Sequence, residues 1–162
     1  MRVLLPEDLQ KRIERILDAF IKEGEEVREY SFWDSTKVKK EEDWFVHNCP
    51  ICTSSELEED LRRKKEVFID PAFAEGLRDE MLAFLIAHEG GHRECLPKRG
   101  GEICASVEAV DMFRNRDLAK GLAREWYYRW WYSTPILEES KFLEAWKGLM
   151  EQLEGAEDGT RI

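Results

Sequence analysis

Apolar residues recur at helical spacing in some segments of the chain, and shorter β-branched or aromatic runs lie between them. After Pro6, Leu9, Ile13, Ile16, Leu17 and Phe20 return every three or four positions, which predicts an amphipathic helix over residues 6–22, ended by Gly24. "EVREYSFWD" alternates polar residues with Val27, Tyr30, Phe32 and Trp33 and reads as a strand; "DWFVHNC" reads as a second, weaker one. "SSELEEDLRRKK" is polar, a short helix or loop. "EVFIDP" is the strongest strand, β-branched and aromatic and closed by Pro71.

The second half is helical. Residues 79–95 carry Met81, Phe84, Leu85, Ile86 and Ala87 almost without interruption, which predicts a helix buried on most sides. "LPKRGG" is a turn, "EICASVEAVDMF" another helix, and two further helices are expected over 116–132 and 135–153. "EGAEDGTRI" has no apolar pattern and reads as a frayed end. The order implies an α+β protein: a small mixed or antiparallel sheet packed on helix 79–95, followed by a mainly helical C-terminal part. At 162 residues and 43% hydrophobic composition one domain with one substantial core is expected, spanning 1–154, with 155–162 a flexible tail.

A formal net charge of −10 opposes attraction to nucleic-acid phosphates and anionic membrane surfaces, so neither is an expected partner. No run of 18 uncharged apolar residues exists, and "MRVLLPEDLQKR" turns charged too early for a signal-peptide core. A cytoplasmic location is the expectation. Asn and Gln are scarce (Asn48, Asn115, Gln10, Gln152) and Glu abundant, a balance met in thermophile proteins. Intracellular disulfides are common in hyperthermophiles, so the four cysteines could be thiols or disulfides.

His88-Glu89-Gly90-Gly91-His92 is an HExxH sequence. Residues four apart share a helix face, so both imidazoles can reach one metal ion while Glu89 stands beside a metal-bound water. The alternative is a pair of core histidines bonded to backbone. Two imidazoles on one buried stripe beside a carboxylate are hard to satisfy that way, which favours zinc.

If helices 79–95 and 102–114 pack antiparallel across the turn, positions mirror about residues 98 and 99, and the depth of the metal corresponds to position 107 or 108. Glu108 is therefore the expected third ligand, with Asp111 and Glu102 as alternatives. Asp111 would otherwise orient one histidine through its other ring nitrogen. The glycine pair then has a reason. Each costs roughly 1 kcal/mol against alanine within a helix, yet a glutamate on a neighbouring helix can reach the metal only if the two backbones approach closely.

"EVFIDPAFAEGLRDEMLAFLIAHEGGH" followed by "VEAVDMF" resembles the core of the gluzincin metallopeptidases, especially the minigluzincin type and the ImmA/IrrE-like proteins. The likeness covers residues 66–114. It implies a zincin-like fold with His88 and His92 as zinc ligands, Glu89 as general base and Glu108 as the glutamate ligand. It also implies that "EVFID" borders the cleft and takes an extended substrate by β-addition.

Two histidines and a carboxylate leave a zinc position open for water, whose proton Glu89 would accept before passing it to the leaving nitrogen of a peptide. The expected activity is a zinc-dependent peptidase acting on peptide or protein substrates. Tyr127, Tyr128 and Tyr132 are candidates to stabilise an oxyanion, although aromatic core is the plainer reading. A scaffold that kept zinc only for stability is the alternative function; it would need no base at Glu89.

Cys49-Pro-Ile-Cys52 could form half of a structural zinc site, completed by Cys95 and Cys104. Cys95 and Cys104 should lie close together at the open end of the helix pair, so a disulfide between them, or free thiols, are the other options. His47 reads as an ordinary strand-end histidine.

Overall fold

The computed structural model describes residues 2–53, 65–95, 101–132 and 139–157. These form seven α-helices and a three-stranded mixed sheet, in the order α1 (Glu7–Phe20), β1 (Ser31–Asp34), α2 (Trp44–His47), β2 (Ile51–Cys52), β3 (Glu66–Ile69), α3 (Pro71–Glu75), α4 (Asp79–Glu94), α5 (Gly101–Met112), α6 (Arg116–Tyr132) and α7 (Glu139–Glu157). Among them no helix is long and apolar enough to cross a membrane.

The sheet order is β1-β3-β2, with β1 parallel and β2 antiparallel to β3. "EVFI" is thus the central strand, bonded on both sides, which corrects the expectation that it pairs with a substrate. Pro71 does more than close it. Asp70 accepts a hydrogen bond from Ala72 N–H at 3.0 Å and caps α3, whose first residue is Pro71.

Two strand expectations change. Within "EVREYSFWD" only Ser31–Asp34 is strand, because Glu26–Glu29 coil into a 3₁₀ turn. "DWFVHNC" is helical: the Asp43 carboxylate accepts from Val46 N–H at 3.1 Å, and Val46 alone of α2 is buried while Trp44 and Phe45 face out. A side-chain cap overrides the weak apolar alternation. "SSELEEDLRRKK" falls, but for its last residue, outside the described residues, as do the turn at 96–100 and the end at 158–162; α7 itself continues to Glu157.

α1 buries Leu9, Ile13, Ile16 and Leu17 against the core, as its spacing predicts. Its Arg12 donates to Asp79 Oδ1 at 2.8 Å and to the Ala74 and Leu77 carbonyls, tying α1 to the corner between α3 and α4. α4 is the central element, buried continuously from Met81 to Gly91, and packs on α5. Its apolar run surrounds the axis, which is why no exposed face remains in its middle.

Candidate metal centre

Gly91 allows α4 and α5 to touch through their backbones. A Cβ at Gly91 would stand 2.4 Å from the Ala105 carbonyl oxygen and 3.0 Å from its Cα, so any side chain there forces the helices apart. Gly90 serves a different neighbour: a Cβ there would meet Val27 Cγ2 at 3.1 Å. The pair is a notch, half against α5 and half against the 3₁₀ turn. Gly91→Ala is therefore expected to destabilise the fold by roughly 1–3 kcal/mol despite alanine's better helix propensity. Gly121→Ala, with nothing within 4 Å of the new Cβ, is expected to stabilise by about 0.5–1 kcal/mol. Urea unfolding of both variants checks the opposite signs.

The Gly91–Ala105 contact divides the interface into two flanks. His88 and His92 lie on one flank of α4, and the same flank of α5 presents Glu102 and Ser106. One donor atom from each of His88, His92 and Glu102 lies within 4.8 Å of the other two. His88 Nε2 donates to Glu102 Oε2 at 2.6 Å, and its Nδ1 accepts from the Ser106 hydroxyl at 3.1 Å. His92 Nε2 is 3.4 Å from Glu102 Oε1, and the two imidazoles meet edge to face with centroids 4.7 Å apart.

Glu108 is not part of this group. It lies six residues beyond Glu102, about 120° away around the helix. That rotation puts it on the other flank, where it lines a hollow of about 280 Å³ with Gly90, Glu94, Asp111 and Met112. Asp111 accepts from Arg116 at 2.6 Å and does not orient a histidine; Ser106 does.

Burial and charge shape the site together. Burial pushes the pKa of Glu89 up to about 8, with the Glu102 charge adding to it and His92 and the Thr53 N–H opposing it. Burial opposes ionisation of Glu102 too, but His88 and His92 outweigh it and hold its carboxyl well below the usual range. Burial wins at His88, lowering its pKa, whereas at His92 the carboxylates of Glu102 and Glu89 overcome it and raise the pKa.

The residues present could hold a divalent metal ion such as zinc. Two imidazole nitrogens and one carboxylate are the donors of open zinc sites, and ligands about 2.1 Å from a tetrahedral centre stand roughly 3.4 Å apart. The His92–Glu102 pair already has that spacing; the His88–Glu102 hydrogen bond would open to admit the ion. With Nε2 turned to a metal, His88 needs its proton on Nδ1. The Ser106 hydroxyl can accept there as readily as it now donates, so the ring changes tautomer without losing its partner.

Glu89 is buried, with the backbone N–H of Thr53 near enough to favour its ionised form; Thr53 follows β2, which packs on α4. Tyr127 is buried close enough to Glu102 to feel its charge, although burial is the larger reason its phenol resists ionisation. Tyr128 is half-exposed with its ring 6.3 Å from Trp146, and the Tyr132 side chain lies outside the described residues.

Cys95 and Cys104 are joined in a disulfide with Cα atoms 6.1 Å apart, which removes both from any four-cysteine zinc arrangement. Cys49 and Cys52 are thiols; the hydrogen bond between them and burial push the Cys52 thiol pKa up. His47 lies on α2 rather than at a strand end, with Nδ1 2.7 Å from the Val38 carbonyl.

Comparison of the chain with family models, with curated proteins and with solved structures found no match in any of the three.

Proposed function

We propose that this protein is a zinc-dependent metallopeptidase on a zincin-like fold, with His88, His92 and Glu102 as ligands and Glu89 as general base. The observation that carries this reading is the convergence of two histidines four residues apart with a carboxylate from the crossing helix, beside a second, buried carboxylate. When bound, zinc supplies a Lewis acid, lowers the pKa of water to about 7 and adds positive charge that favours ionised Glu89.

The chain's own groups do the rest. Ser106 fixes the ring plane of His88, and the Thr53 N–H favours the ionised form of Glu89. Glu89 accepts the proton of the attacking water and returns it to the leaving nitrogen, so one carboxylate serves both halves of hydrolysis. Among the described residues β2 is the strand beside both α4 and the sheet edge, and an extended peptide would pair there.

The test is direct. Purified protein is expected to hold one zinc per chain by elemental analysis, and to cleave an unstructured polypeptide such as casein. Chelation should abolish cleavage and added zinc restore it. Zinc retained without cleavage of any tested polypeptide would support the zinc-stabilised scaffold instead; absence of zinc binding removes both readings.

A further inference from the structure

The three donors are not held equally. His88 and His92 stand on α4, whose middle is buried on all sides, whereas Glu102 is the second residue of α5. The first turn of a helix lacks intrahelical partners for its N–H groups and opens more readily than the interior. Ala105 against Gly91 and Ser106 against His88 secure the second turn. Within the first turn the covalent anchor is Cys104, bonded to Cys95. Cys95 is the C-cap of α4, three residues past His92, and Cys104 is two residues past Glu102. The bond thus closes the site at the end where the chain passes from α4 to α5.

We propose that Cys95 and Cys104 are positioning residues for Glu102: their disulfide holds the first turn of α5 on α4, and the metal affinity of the site is thereby under thiol–disulfide control. This rests on the zinc reading of His88, His92 and Glu102.

The burial of the two cysteines sets the direction of the chemistry. Residue Cys95 is buried and residue Cys104 only partly so, which favours attack at Cys104 Sγ. A thiolate of a dithiol reductant attacks Cys104 Sγ, the Cys95–Cys104 bond breaks, and Cys95 leaves as a thiolate that takes up a proton. The second thiolate of the reductant then attacks its own sulfur in the mixed disulfide. Cys104 is released and protonated, and the reductant departs as a disulfide. Two electrons and two protons pass from the dithiol to the protein. Cys49 and Cys52 are already thiols, so the reductant leaves them unchanged.

Hydrogen exchange on the metal-free folded protein, with and without dithiothreitol, reads the clamp without reference to zinc. Amides 105–108 bond to the carbonyls of the first turn of α5, and their protection is expected to fall at least ~10-fold on reduction while α4 amides 85–91 keep theirs. Zinc affinity, measured by competition with a chromophoric chelator, is expected to fall by roughly 10–100-fold in the same step. In Glu102→Ala, reduction should change zinc affinity no further, because the turn no longer carries a ligand. A bond that merely stabilised the fold would lower affinity in that background too, and that result overturns the proposal. So does equal protection of amides 105–108 in both redox states. If neither form binds zinc, the zinc reading falls and the control of metal affinity falls with it, while selective loss of protection still upholds the clamp. Cys104→Ser repeats the test covalently; the treated wild type keeps it valid should that variant not fold.

Discussion

Glu89→Gln is expected to leave zinc content unchanged and to reduce peptide hydrolysis by roughly 10²–10⁴-fold, the range of positioned general bases. Glutamine keeps the size of the side chain and an oxygen that can accept from the Thr53 N–H, so the packing around α4 has little reason to change. What it cannot do is take a proton from water. His92→Ala should behave differently, because it removes a donor: zinc affinity, activity and thermal stability should decline together, since the metal binds the folded state. Elemental analysis, a casein assay and thermal melts on the same preparations separate the two patterns. Undiminished cleavage by Glu89→Gln would sink the mechanism.

Legibility followed the range of the interactions. HExxH is a local pattern whose meaning needs only helical periodicity, and the apolar run from Met81 to Ala87 announced a buried helix that the structure bears out. The nearness of Cys95 and Cys104 followed from a short turn, and the close approach at Gly91 from the reach a glutamate on the neighbouring helix needs to a metal beside the histidines. The strand order was not readable, because β3 pairs with strands on both sides through contacts far apart in sequence. α2 was hidden by its aromatic residues, which stay exposed, while the deciding feature was the Asp43 cap. Ser106 was missed although it stands four residues after Glu102 on the same stripe, a spacing that links the two once Glu102 is considered.

Glu102→Ala against Glu108→Ala decides the third ligand, and the geometry gives them opposite outcomes. Mirroring two antiparallel helices about their turn fixes depth along the axis, and depth alone selects Glu108. Rotation about the axis is the second coordinate. Measured from the Gly91–Ala105 contact, it sends Glu102 towards the histidines and Glu108 towards Glu94 and Asp111. Removing Glu102 should weaken zinc binding by more than the ~10–100-fold typical of losing an outer partner such as Ser106. It should also cost the metal-free protein about 1–3 kcal/mol, because buried His88 loses the acceptor of its Nε2–H. Glu108→Ala, in the hollow away from the histidines, should keep full zinc affinity and activity. Chelator competition and urea unfolding measure both quantities for both variants. Zinc lost from Glu108→Ala but retained by Glu102→Ala would reverse the assignment and require the two helices to rotate against each other from the arrangement that Gly91 and the disulfide fix.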